Sequence, residues 1–165
     1  ALMLSVADEH RLRGMLFWLM GDLGQNSKPW PPLLALLFTL IVSMPLAREL
    51  NLLSRGLMQA RALGVAVDRL RYAVYLLASL ATAVAVTTAG SVGFVGLVVP
   101  HLVRLSTGND QRLLLPAAAL AGGALLVLAD TAARTVIAPQ QLPVGVLTAL
   151  IGVPVFLFLL SRQPR

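Results

Sequence analysis

Few side chains in this sequence could do acid, base or metal chemistry, and they stand inside an otherwise apolar chain. His101 lies in the run "GFVGLVVPHLVRL" (93–105), directly after Pro100 and three residues before Arg104. Asp130 and Arg134 stand four residues apart in "LVLADTAAR" (126–134). A histidine and an aspartate could serve as a base and acid pair if the fold brought them within hydrogen-bond reach. Metal binding has less to work with, because His10 and His101 are the only histidines and cysteine is absent. No G-x-x-x-x-G-K phosphate loop occurs, so any ATP would be hydrolysed on another chain.

Whether His101 and Asp130 can meet depends on the elements that carry them. Hydrophobic residues make up 58% of the chain, only 12% are charged, and the mean hydropathy is +0.83. That balance belongs to a membrane protein rather than a soluble domain. Thirteen Lys and Arg against seven Asp and Glu would hint at nucleic acid in a soluble domain; in a membrane chain their placement reports orientation instead. No nucleic-acid partner is expected.

A helix needs ~20 apolar residues to cross the hydrocarbon core. The charge-free stretch after Lys28 gives a span at about 29–47, with Pro31 and Pro32 where a first turn tolerates proline. Residues 72–100 are uncharged, too long for one span, and carry Gly90, Gly93 and Gly96. Dividing them near Gly90 gives spans at about 72–90 and 92–107. Two more follow at about 113–133 and 143–161. The fold expected is an all-α polytopic transmembrane bundle.

Alternation of five spans places Arg48, Arg55, Arg61, Arg69, Arg71, Arg104, Arg112, Arg162 and Arg165 on one side, and Arg11, Arg13, Lys28 and Arg134 on the other. The richer side is the cytoplasm by the positive-inside rule. His101 then sits near the cytoplasmic face and Asp130 near the external one, ~30 Å apart across the bilayer. An intramembrane acid and base pair is therefore not expected, and His10 and His101 fall on opposite sides as well. Pro100 can bend its span, with gating as the alternative, while His101 and Arg104 reach the interface. Asp130 and Arg134 can form an i, i+4 pair on one helix.

Residues 1–28 read as an external segment. Leu12, Met15, Leu16 and Leu19 have helical spacing, and Trp18 and Trp30 suit the interfacial belt. The abrupt apolar start without a basic flank is not that of a signal peptide, and the sequence reads as a fragment. The cytoplasmic loop at 48–71 is long for a helix connection, and Gly56 and Gly64 would bracket a short helix within it. A solvated tether and a docking element both fit that pattern.

The succession "FWLMGDL" (17–23), "LARELNLLS" (46–54), "ARALGV" (60–65), "GFVGLVVPHLVRL" (93–105), "DQRLLLPAAALAGGALLVLADTAAR" (110–134) and "LPVGVLTALIGVPVFLFLL" (142–160) resembles the C-terminal half of FecCD-type permeases. These are the membrane subunits of ABC importers for iron-siderophores, haem and vitamin B12. The resemblance implies about five of an expected ten spans, a multi-pass location in the bacterial plasma (inner) membrane, and no enzymatic activity in this chain.

It also implies partners: cytoplasmic ABC ATPase subunits holding the ATP, an external or periplasmic substrate-binding protein, a second permease subunit in a homodimer or heterodimer, and the lipid bilayer around the permease. No cofactor is expected on the chain itself. Coupling to the ATPase would fall to Ser54, Gly56, Leu57, Ala60, Arg61, Leu63 and Gly64, with Ala60 and Gly64 permitting close approach. Leu57 and Met58 stand where many relatives have acidic residues. Arg134 aligns with an arginine that docks the binding protein in vitamin B12 permeases, and Gln141 stands where a glutamate is common. Gly93, Gly96, Pro100, Gly145, Gly152 and Pro154 would line the pathway or allow helix packing. The rival from another class is a small polytopic structural or interaction protein without transport activity.

Overall fold

A computed structural model describes residues 9–24, 28–136 and 142–161. Seven helices follow in order: α1 (Glu9–Leu19), α2 (Trp30–Ser54), α3 (Leu57–Ala62), α4 (Val67–Ala89), α5 (Val95–Thr107), α6 (Gln111–Thr135) and α7 (Val144–Ser161). No strand occurs among the described residues. The all-α expectation holds, and the helix expected at the start of the chain is present as α1.

Three helices, α2, α4 and α6, are long and apolar enough to cross a membrane. At 1.5 Å per residue each spans roughly 35 Å, against a hydrocarbon core of about 30 Å. The division expected near Gly90 is present, but α5 begins at Val95 rather than at 92 and has 13 residues. It reaches only about 20 Å. Residues 90–94 are not helical, and Gly90 (φ 71°) and Phe94 (φ 65°) both occupy the left-handed region. An L side chain there is strained, so Phe94 is the sterically costly member of this break. The loop expected at 48–71 is also shorter than foreseen, since α2 continues to Ser54 and α4 starts at Val67.

The chain divides into two compact units. The first holds α1, the end of α4, the 90–94 break, the start of α5, the second half of α6, and α7. Its apolar centre is Ala129, Ala133 and Val144, packed by Leu23, Leu126, Leu142 and Leu147. Backbone bonds tie the turn after α1 into this unit: Asp22 N–H donates to the Ala89 carbonyl (3.0 Å), and Val144 N–H donates to the Gly21 carbonyl (3.0 Å). The second unit holds α2, α3, most of α4, the end of α5 and the first half of α6. Ala47, Ala60, Val67 and Leu70 are buried there.

Small residues fill these interiors, while Leu33, Leu37, Phe38, Ile41, Leu76, Leu120, Leu128 and Leu157 point outward. Exposed apolar surface on this scale is expected of helices that meet lipid or further transmembrane segments rather than water. Hydroxyls on the helices turn back onto their own backbone, as in Thr39 to Ala35 O (2.7 Å), Thr131 to Val127 O (2.7 Å) and Thr148 to Gly145 O (3.1 Å). Such bonds let a polar side chain sit on a helix in an apolar medium.

Candidate functional site

The most sharply built surface feature is α3 and its two glycine ends. Gly56 at its N-cap has φ 130° and ψ 146°, a conformation disfavoured for a residue with a Cβ. At the other end Gly64 (φ 81°) donates its N–H to the Arg61 carbonyl, and Val65 donates to the Ala60 carbonyl, each at 3.0 Å. Those two bonds are the Schellman arrangement, which satisfies carbonyls that a six-residue helix would otherwise leave open. The bracketing of a short helix by Gly56 and Gly64 is therefore observed.

Only part of the expected coupling set faces outward. α3 packs back on α2, and Ala60 is 0% exposed, taken up by the chain's own interior. That corrects the expectation that Ala60 offers close approach to a partner: its methyl already has neighbours. Met58 (86% exposed), Leu63 (65%) and Leu57 (39%) present the apolar face instead. No described atom lies within 4 Å of where a Cβ at Gly56 or Gly64 would be. Arg61 pairs with Asp68 at 4.0 Å with both side chains well exposed, a geometry of little energetic weight. Ser54 donates through its hydroxyl to the Asn51 carbonyl (2.8 Å).

Just before this helix, at the end of α2, Asn51 is paired with the start of α6. Asn51 Nδ2 donates to Asp110 Oδ1 (2.7 Å), and Asn51 Oδ1 accepts from the Gln111 amide (2.8 Å). Asp110 Oδ1 also accepts from the Arg112 amide (3.0 Å), which makes Asp110 the N-cap of α6. Donation from Asn51 above all, then from the Arg112 amide, holds the Asp110 carboxyl below its ordinary value. A polar cavity of about 350 Å³ opens among Asn51, Ser54, Arg55, Asn109 and Asp110. "GNDQR" (108–112) carried the cap signal, an Asp ahead of an apolar helix; the partner sixty residues away carried none.

The expected pathway residues separate. Gly93, Gly145 and Pro154 come together with Met20, Ser91, Val146, Ala149, Leu150 and Val153 in an open, largely apolar groove of about 700 Å³. Gly152 instead receives the Phe94 side chain and lines a small, partly open apolar cavity of about 20 Å³, room for little more than a water. Close packing is made at Gly145, where a Cβ would strike the Met20 carbonyl, and at Gly90, where it would strike the Trp18 carbonyl. Gly93 and Gly96 have nothing within 4 Å among the described residues, so the tight approach expected of them is not made there. Pro100 is half-buried inside a continuous α5, whose helix runs on past it to Thr107.

At the end of α6, Arg134 Nε donates to Asp130 Oδ2 at 2.8 Å, so the intrahelical pair exists. The Arg134 guanidinium extends over Gly24, where a Cβ would lie 3.1 Å from Nη2. Gln141 and the side chain of His10 lie outside the described residues. Among the described residues no group of three or more His, Cys, Asp or Glu is placed to hold a metal.

The family model for the FecCD transport family matches residues 1–162. The chain belongs to that family. It is 46% identical to the hemin transport system permease protein HmuU of Yersinia pestis over 96% of its own length and 48% of that protein's. It is 47% identical to the cobalamin import system permease protein BtuC of Halobacterium salinarum, over 98% of this chain and 44% of the other. A solved structure described as an inward-facing conformation of a metal-chelate type ABC transporter matches with a TM-score of 0.82 and 36% identity, covering 98% of this chain and 53% of that one. This FecCD chain thus spans about half the length of the relatives it matches. It is an all-α membrane protein whose relatives are transport permeases.

Proposed function

We propose that this chain forms the C-terminal half of a permease subunit in a binding-protein-dependent ABC importer, carrying an iron-siderophore, haem or cobalamin-type chelate across the bacterial inner membrane into the cytoplasm. ATP is hydrolysed on separate ATPase subunits, and a second permease subunit completes the pathway. The observation that carries the reading is α3: a six-residue helix bracketed by two glycines between two long apolar helices, with Met58, Leu63 and Leu57 turned outward. A merely solvated tether has no need of such a face. A short helix seated on an ATPase can pass on its opening and closing as a rigid-body displacement.

The groove holding Gly93, Gly145 and Pro154 supplies a wall for the pathway. Its apolar lining would hold a bulky chelate weakly, which leaves recognition to the external binding protein. Arg134, beside Gly24, is the candidate contact for that protein, and its bond to Asp130 uses only Nε. The rival, a small structural protein without transport, is disfavoured by the match of the chain to one half of longer permeases.

The deciding experiment reconstitutes the full-length subunit in vesicles with its ATPase and binding protein and follows chelate uptake. Uptake is expected only with both partners and ATP. Uptake that proceeds without the ATPase would sink this function.

A further inference from the structure

Asn51 spends both ends of its carboxamide on the start of α6. Its Nδ2 bonds the Asp110 carboxylate and its Oδ1 takes the Gln111 amide, while Asp110 takes the Arg112 amide with its side chain and the Leu113 and Leu114 amides with its carbonyl (3.1 and 2.9 Å). A helix start has four amides without intrahelical partners of their own. Here one of them is satisfied by a side chain from another helix, and the cap itself is held by that same side chain. A cap alone would not require this, because Asp110 could serve Arg112 without Asn51.

The position of Asn51 along the chain gives the arrangement its consequence. It stands in the last turn of α2, six residues before Leu57 opens α3. The intervening turn is bonded throughout: Ser54 hydroxyl to Asn51 carbonyl (2.8 Å), Arg55 amide to Leu52 carbonyl (3.2 Å), Gly56 amide to Leu53 carbonyl (3.1 Å). Ala60 is buried where α3 lies back on α2. A push on α3 therefore acts on the last turn of α2, and two hydrogen bonds from one planar group leave the start of α6 little freedom to stay behind.

We propose that Asn51 is a positioning residue that carries displacement of α3 to α6 through its paired bonds to Asp110 and Gln111. This rests on the reading of α3 as the ATPase-facing helix. Asn51 touches neither substrate nor nucleotide.

The test measures chelate taken up per ATP hydrolysed by the full-length subunit reconstituted with its ATPase and binding protein. Asn51→Asp removes the donor and sets a second carboxylate against Asp110. The expected result is a fall in uptake per ATP of about fivefold or more while the ATPase still copurifies and hydrolyses. Asp110→Asn alone keeps acceptors for Asn51 and Arg112 and is expected to lose less. Combining the two restores opposed donor and acceptor with the roles exchanged, and should recover most of the ratio. Asn51→Ala, which introduces no charge, is the second variant if Asn51→Asp fails to assemble, and it should also lower the ratio.

A wild-type ratio in assembled Asn51→Asp and Asn51→Ala transporters would overturn the proposal, even if their thermal stability fell. So would a double variant as impaired as Asn51→Asp. A wild-type transporter with no ATP-driven uptake at all would overturn the transport reading along with it, so the two failures are told apart.

Discussion

Gly145 and Gly90 differ from Gly96 and Gly123 in nothing the sequence reveals, yet the structure separates them. A methyl at Gly145 would meet the Met20 carbonyl and come within 2.9 Å of the Ser91 carbonyl, and at Gly90 it would meet the Trp18 carbonyl on a backbone with φ 71°. Gly145→Ala and Gly90→Ala should each cost about 1–3 kcal/mol, read as a lower thermal midpoint, because the obstacles are backbone atoms that cannot turn aside. Gly123→Ala, with open space around it, should hold or raise the midpoint. Arg134 poses a different question. Its i, i+4 pair with Asp130 is worth about 0.3–0.5 kcal/mol, so little stability is at stake. If Arg134 docks a carboxylate of the binding protein, Arg134→Glu should weaken association most at low salt, where screening is least. Equal binding of both forms at low ionic strength would leave Arg134 with its intrahelical role alone. Asp110 yields a pH prediction. Its folded-state value is depressed, so its contribution is present above the ordinary carboxylate range and is lost as pH falls through that lowered value. The carboxylate infrared band missing in Asp110→Asn should therefore titrate below the ordinary carboxylate range in the wild type.

At the scale of elements, α3 turns a list of loop residues into two faces. Ala60 looks inward while Met58 and Leu63 look outward, although all three are small or apolar in a loop rich in arginine. Met58→Glu and Leu63→Glu should fold normally and lose the ATPase on copurification. Ala60→Glu should instead destabilise the subunit itself, by about 1–3 kcal/mol from overpacking alone, with the desolvation of a carboxylate added. Thermal midpoints and ATPase copurification of the three variants, measured side by side, check the division. Loss of the ATPase without loss of stability in Ala60→Glu would place Ala60 back on the docking face. The break at 90–94 is also decided at this scale. It shortens α5 and is fastened by the turn after α1, whose Gly21 lies against Ser91 and whose Asp22 amide reaches Ala89. Non-helical backbone at such a place is sustained by protein contacts rather than by water.

For the whole molecule the arginine distribution predicts an orientation that can be measured directly. This chain has no cysteine, so single cysteines can be introduced against a silent background in a full-length subunit freed of any others. A cysteine at Asn109 should react with an impermeant thiol reagent only from the cytoplasmic side, and one at Gly24 only from outside. The reverse pattern would invert the assignment of α3 to the ATPase side and with it the function proposed. The outward display of Leu33, Phe38, Leu76 and Leu128 belongs to this scale as well. Such side chains suit contact with lipid or with other transmembrane helices, and the chain spans about half the length of the relatives it matches.

Hydropathy and charge determined that this is a helical membrane chain, because transfer of backbone into hydrocarbon leaves few alternatives to the helix and because spans of charge-free residues are visible without any knowledge of neighbours. The glycine bracket of α3 was also legible, since Gly56 and Gly64 answer a local backbone demand at each end of six residues. The i, i+4 pair of Asp130 and Arg134 followed from helical geometry in the same way. The break near Gly90 was legible from its glycines, but the start of α5 at Val95 was not, because where the helix resumes depends on contacts with a distant turn. Nor was the inward turn of Ala60, or the choice of Gly90 and Gly145 over Gly93 and Gly96 as the sites of close approach. Asn51 is the clearest case, an ordinary polar residue at the end of a helix until folding brings Asp110 and Gln111 to both ends of its amide. Local periodicity and local caps are written into neighbouring residues, whereas a partner sixty positions away is chosen only when the helices pack.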